Sequence, residues 1–329
     1  MVSNTTTYQN IADILSYKTP NNLVEEQLLH PNFNWDALVI IGSKQLVIPA
    51  LYCRLKSRNL LTQLPEGLEL YLKDIATQNL KRNTAILHQI KTLTLLLNSH
   101  NIKHTFLKGA ALLAAGYFED LSERMIGDID ILIDLKDLQP AFKLLKASAY
   151  KPIDETFGAD FFEHKHLPRL TSSSHICAVE LHRKLFVTHK EKALSNSNIL
   201  MHKVLKHGVS IPCYNHLLLH NILNYQINDN GQHYKTINFR SAYDTINLDR
   251  LRPPQAIETD TITTTTDKTI IAYFQYVTVF FKDLKHYGHI KKTTWFYRLK
   301  LNNTTFSVLW YKTMNLSIFL TILIHRFSY

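Results

Sequence analysis

Asp128 and Asp130 stand two positions apart in the segment GDIDILID, and that spacing is the most informative chemical feature of the chain. Ile129, Ile131, Leu132 and Ile133 give the segment the β-branched, apolar character of a strand, and Gly127 gives the backbone room just before the acids. Side chains alternate across a strand, so the two carboxylates share one face. A third acid, Glu180, lies in the strand-like run ICAVELHRKLF. Three carboxylates converging within about 4 Å repel by roughly 4 kcal/mol per pair at an effective dielectric near 20, a cost that cations must offset. Magnesium, a hard cation with a preference for oxygen ligands, is the expected answer. His182 follows Glu180 by two residues and points to the same face. It is placed either to approach the metals, orient an acceptor hydroxyl or take its proton, or to support the acids by hydrogen bonding.

Upstream, Thr105, Phe106 and Leu107 run into Lys108 and Gly109, and Ala110 to Gly116 reads as a short helix. Strand, glycine turn and helix start present backbone N–H groups and a positive helix terminus, a natural seat for phosphate. An ordinary amphipathic strand is the competing reading of the acids, with Ile129, Ile131 and Ile133 on one side and Asp128, Asp130 and Leu132 on the other. The order of the elements favours chemistry: glycine turn, acid pair about 20 residues on, third acid about 50 beyond.

This order resembles the nucleotidyltransferase superfamily that includes DNA polymerase β. More closely it is similar to the bacterial group known as uncharacterised nucleotidyltransferases, marked by LKG, an Arg shortly before a DID strand, and a later ELH. Those elements are here Leu107-Lys108-Gly109, Arg124, Asp128-Ile129-Asp130 and Glu180-Leu181-His182. NWDALVIIGSKQLVIPALYCRLKSR resembles the helical part that precedes the core in the same group, and the segment from HLLLHNIL to RSAYDTINL its C-terminal helical element.

The resemblance implies an α+β fold, a small mixed β-sheet core between N-terminal and C-terminal helical regions. It implies transfer of a nucleoside monophosphate from a nucleoside triphosphate to an acceptor, with release of pyrophosphate. Asp128, Asp130 and Glu180 would hold two magnesium ions, with His182 beside them. Lys108, Gly109, Ala110 and Arg124 would bind the triphosphate, since fixed cations stabilise charge on a leaving pyrophosphate. Ala110 replaces the Ser common in the wider superfamily, so one hydroxyl contact to phosphate is missing. That replacement motivates an alternative, a catalytically degenerate protein that binds a nucleotide or partner. The acceptor is left open among protein side chains, sugars, antibiotic-like small molecules and RNA ends.

Composition sets the limits. With 45% apolar and 11% aromatic residues, the 329-residue chain can bury a substantial core. A formal charge of +10 favours polyanionic partners: nucleotide, nucleic acid or an anionic membrane face. Cys53, Cys177 and Cys213 are too scattered for a CxxC site and odd in number, as expected of reduced thiols in the cytoplasm. The start, MVSNTTTYQN, lacks the basic and apolar regions of a secretory leader.

Three regions follow: helical periodicity over 1–100, the nucleotidyltransferase core over 101–190, and helices again over 191–329. Within the last, TDTITTTTDK at 259–268 reads as a surface loop. His216 and His220, at helical i and i+4, lack the further ligands of a zinc site. Arg240 and Asp244 share the same spacing, that of a pair bracing one helix or, for Arg240, a substrate contact. Phe306 to Tyr329 is apolar but interrupted by Lys312 and Asn315, so a buried terminal helix is expected, with a membrane-surface or partner-binding helix as the other reading.

Overall fold

The computed structural model describes residues 4–153, 165–187, 194–254, 267–287 and 294–327, with side chains omitted at 294 and from 318 onward. Four helices open the chain: α1 (Asn4–Leu15), α2 (Asn21–Leu29), α3 (Trp35–Lys44) and α4 (Ile48–Ser57). Asn34 caps α3 by accepting from the Ala37 N–H at 2.9 Å, and Pro49 sits in the first turn of α4, where its missing N–H costs nothing. Next comes α5 (Leu68–Ser99), a single helix of 32 residues and so about 48 Å long.

The buried stripe of α5 runs Leu72, Ala76, Asn79, Asn83, Ile86, Ile90, Leu93 and Leu97, alternating steps of four and three that keep one face inward. Tyr71 is exposed, and two asparagines stand within the stripe. Asn79 Nδ2 donates to the Ser122 and Arg124 carbonyls at 2.6 and 3.2 Å, and Asn83 Nδ2 to those of Leu121 and Arg124 at 2.5 and 2.8 Å. Buried amides of this kind are tolerated because they satisfy loop carbonyls that would otherwise lack partners.

The sheet follows: β1 (His104–Phe106), α6 (Lys108–Ala114), β2 (Asp128–Ile133), α7 (Leu138–Ala147), β3 (Lys151–Pro152), β4 (Leu170–Thr171) and β5 (Ala178–His182). Its order is β1-β2-β5-β4-β3, with only the β2–β5 pair parallel. Ile129, Ile131, Leu132 and Ile133 are all fully buried, so β2 is covered on both faces rather than half-exposed. The fold is α+β, a small mixed sheet flanked by helices.

Beyond the core, the chain is not purely helical. After α8 (Asn196–Met201), a hairpin of β6 (Val204–Lys206) and β7 (Val209–Ile211) turns on His207 and Gly208, both with positive φ, the geometry of a tight two-residue hairpin turn. The hairpin packs beside β1, where Ser210 Oγ and Lys203 Nζ donate to the His104 carbonyl at 3.0 and 2.9 Å. Then come α9 (Tyr214–Leu223), a π-helical turn over Asn224–Asn228, α10 (Gly231–Tyr234) and α11 (Phe239–Arg250). Most of the threonine run lies outside the described residues; Asp267 caps the helix Lys268–Val277 that ends it.

The terminal segment forms the helix Thr304–Phe327, but it is not buried over its described side chains. Trp310 Nε1 bonds the Tyr234 carbonyl at 2.9 Å, and Lys235 sits over the Trp310 ring, whereas Val308, Leu309 and Leu316 are exposed. Over 304–317 the helix is held by one face only, so the expected burial fails there. Among the described residues, no helix is long and apolar enough to cross a membrane.

Consecutive residues of α11 tie the helical part to the loop before β2. Tyr243 Oη donates to Glu123 Oε2 at 2.8 Å, and Asp244 takes the Arg124 Nε at 2.7 Å. Burial pushes the Glu123 carboxyl up to about 7, with Glu119 adding to the rise and the hydrogen bonds from Tyr243 and Asp120 only partly opposing it. The folded protein therefore keeps this proton between about 4.5 and 7 while the unfolded chain loses it. Stability falls as pH rises through that window, by up to about 3 kcal/mol in all. Glu123→Gln should flatten this slope and raise stability at pH 8 by about 2–3 kcal/mol. Urea denaturation of both proteins at pH 5 and pH 8 measures it, and equal pH dependences would refute the assignment.

Candidate active site

The parallel register of β2 and β5 sets Asp130 directly opposite Glu180. His182, two residues on, brings its Nε2 to 2.7 Å from Asp130 Oδ1 and 3.4 Å from Glu180 Oε2. All three are buried, and their ligand atoms lie within 4.8 Å of one another, the one group of this kind among the described residues. Lys108 closes the cluster, its amine bonded to Asp130 Oδ1. The Leu107 N–H extends the β1–β2 ladder to the Asp130 carbonyl at 2.9 Å, so Lys108 is the first residue past the sheet. Its φ of +50° is unusual for a residue with a side chain, and it turns the chain directly into α6.

Asp128 shares the face of Asp130 but is not one of the three mutually close ligands. It reaches the cluster through Arg169, whose Nη2 donates to Asp128 Oδ2 at 2.6 Å and to Glu180 Oε1 at 2.9 Å. His166, bridged to His182 across the backbone, adds an Nε2 at 3.6 Å from Glu180 Oε2. Sequence reasoning missed Arg169 and His166, because each is an isolated polar residue beside a two-residue strand with no motif to mark it.

The charges sort the three acids. Burial alone would raise the Asp130 carboxyl, but Lys108 and the hydrogen bond from His182 more than reverse this and hold it well below the usual range. Glu180, whose burial is likewise outweighed by the His182 bond and the charge of His166, is lowered to about 2. Asp128 moves the other way: burial, then Asp130 and Glu180, raise it against Lys108 and Arg169. It is the acid of the three most ready to take a proton. Burial opposes the charge on His182, yet its bonds to Asp130 and Glu180 prevail and raise it. In this arrangement the imidazole donates to two carboxylates.

Gly109 and Ala110 are buried in the first turn of α6, which starts two residues earlier than expected and spans seven. A Cβ on Gly109 would stand 3.2 Å from Ile126, a tight contact, and 3.6 Å from the Arg124 guanidinium, an ordinary one, so the turn lies directly against both side chains. Arg124 is itself buried, giving its Nε to both Asp244 oxygens, at 2.7 and 3.0 Å, and its Nη1 to the Met125 carbonyl. Asp244 thus pairs with Arg124 of the core and not with Arg240 on its own helix. A cavity of about 60 Å³ adjoins this pair, lined by Lys108, Arg124, His220 and Arg240 among others. His216 instead faces His202, with ring centroids 5.7 Å apart.

Residues 31–261 match the sequence model of a family described as uncharacterised nucleotidyltransferases, and the chain belongs to that family. An antigenic nucleotidyltransferase-like protein from Paracoccidioides brasiliensis is similar in structure at 17% identity and a TM-score of 0.42, with 65% of this chain and 97% of that one covered. No curated protein matches the sequence.

The Lys108–Asp130 pair makes a prediction about the ion-free protein. Asp130→Asn leaves a largely buried amine without its partner and should destabilise by about 2–5 kcal/mol, whereas Asp130→Asn with Lys108→Met should recover most of the loss. The contribution is present throughout the ordinary carboxylate range and is lost only in strong acid, because the folded carboxyl is depressed. Denaturation in the presence of a chelator tests this, and a single variant as stable as the parent would contradict it.

Proposed function

We propose that this chain transfers a nucleoside monophosphate from a nucleoside triphosphate to an acceptor, releasing pyrophosphate. The supporting observation is the register that sets Asp130 against Glu180 with Asp128 on the same face. Two neighbouring carboxylates, Asp130 and Glu180, are an oxygen donor pair that fits a divalent cation such as magnesium, with His182 bracing both. Asp130 and Glu180 would hold it, with Asp128 at their side. Such an ion supplies Lewis-acid stabilisation of charge on the transferring phosphoryl group.

The chain's own residues do the rest. Lys108, on the turn after β1, binds a phosphate oxygen of the nucleotide. His182 and Arg169 fix the orientation of the carboxylates, each bonding two of them. Asp128, the acid with raised proton affinity, receives the proton of the acceptor hydroxyl as its oxygen bonds the α-phosphorus. The bond from that phosphorus to the bridging oxygen breaks, and pyrophosphate leaves. Arg124, locked to Asp244, shapes the turn around Gly109 and contributes positive charge beside the leaving group.

A second reading draws on Ala110 and on the ion pairs that already satisfy all three acids. A degenerate member of the family would bind nucleotide without transferring it.

The deciding experiment incubates the protein with α-labelled nucleoside triphosphates and magnesium in a cell extract. Label should appear on an acceptor, and Asp130→Asn and Glu180→Gln should each cut its appearance by about 100-fold or more, measured well below their melting temperatures. Label transfer that survives both substitutions would exclude these acids. Nucleotide binding by calorimetry with no transfer under any metal would favour the degenerate reading.

A further inference from the structure

Arg240 lies in the first turn of α11 and lines the cavity of about 60 Å³ next to Lys108 and Arg124. Its guanidinium has no hydrogen-bond or ion-pair partner among the described residues. The obvious partner, Asp244 four residues on, has both oxygens on the Arg124 Nε. Burial, and then the neighbouring Arg124, push the Arg240 guanidinium down to about 10, with Asp244 and Asp229 offsetting only part. Two guanidiniums and an amine thus face one small space.

The neutral lining is rich in donors. Asn238 spends its Oδ1 on the Ser241 N–H at 2.9 Å, and Asn224 its Oδ1 on Asn228 Nδ2 at 2.8 Å. Among the described residues neither amide NH₂ has a protein acceptor, and both residues line the cavity. Asn224 opens the π-helical turn, a geometry that disturbs the regular helical bonding and is frequent at functional sites. A space of about 60 Å³ accommodates roughly two water molecules, or a single tetrahedral oxyanion in their place.

We propose that this cavity binds a phosphoryl group of a polyphosphate chain, with Arg240 as its direct cationic partner and Asn224 and Asn238 as neutral donors. The placement rests on the nucleotide-transfer reading, because Lys108 lines the cavity and also bonds Asp130, joining it to the acids. The chain in question is the terminal end of a nucleoside triphosphate; a free polyphosphate shares its chemistry. Arg240 then joins Lys108 at the phosphates, while Arg124, spent on Asp244, holds the wall. Asp229, the remaining acid of the lining, opposes the anion, and burial already raises its proton affinity.

Calorimetric titration with sodium tripolyphosphate, at constant ionic strength and without divalent metal, tests the pocket. Arg240→Met should weaken binding by about tenfold or more, the scale of one charge-assisted contact, and its melting temperature without ligand should not fall, since a buried repulsion is relieved. Arg240→Lys should fall between, keeping charge but losing the fork. Asp229→Asn should tighten binding severalfold, a gain that misfolding cannot imitate. Unchanged tripolyphosphate affinity in Arg240→Met, or none in the parent protein, overturns the proposal, as does a failure of Asp229→Asn to tighten it. Repeating the series with ATP and AMP identifies the source: an Arg240 effect on ATP and not on AMP assigns the triphosphate end, and an effect on tripolyphosphate alone assigns a free polyphosphate. Intact tripolyphosphate binding in a chain without transfer activity defeats the enzymatic reading and leaves the pocket standing.

Discussion

Placing one carboxylate directly across a parallel strand pair from another is the constraint around which this molecule is organised. Asp130 and Glu180 are register partners in the centre of the sheet, away from the water that would screen them. At that depth like charges repel strongly, and each neighbour of the pair answers the repulsion. His182 bonds both acids, Lys108 bonds Asp130, and Arg169 joins Glu180 to Asp128. The left-handed backbone of Lys108 belongs to the same account, since the turn places its amine beside the acid whose backbone carbonyl closes the strand ladder.

The helices around the sheet add polar contacts to the apolar packing of their buried faces. Besides Asn79 and Asn83, α5 contributes Arg82, whose Nε donates to the Ile126 carbonyl at 3.2 Å, and Gln89, which brackets Cys177 by donating to its carbonyl at 2.8 Å and accepting its N–H at 3.1 Å. These contacts fall just before Asp128 and just before β5. From the other side, Tyr243 and Asp244 of α11 hold Glu123 and Arg124. The loop carrying Arg124 is thus gripped by two helices that are distant in sequence.

Much of this was legible in the residues themselves. The strand character of 128–133 was visible because a β-branched residue recurs at every second position, and the alternation of side chains put Asp128 and Asp130 on one face. The pairing of Asp130 with Glu180 followed only in outline, since register depends on contacts that spacing does not encode. Arg169 and His166 were invisible for the reason that β4 is too short to give a periodic signal. The hairpin at 204–211 was hidden among helices because its strands have three residues each, and only the His207-Gly208 turn hinted at it. Asp244 appeared to belong to Arg240 by helical spacing, and a stronger partner from the core took it instead. The terminal helix misled in the opposite sense, its apolar composition suggesting an interior that the side chains of 304–317 do not enter.

The long α5 has a mechanical consequence. Arg82 and the two asparagines grip the approach to one acid-bearing strand, while Gln89 grips the approach to the other, about two turns further along the same rigid rod. A tilt of that rod carries both strands with it. The ladder between β2 and β5 and the bonds from α5 thus fix the spacing of the carboxylates twice over, much as two jaws bolted to one bar keep their gap.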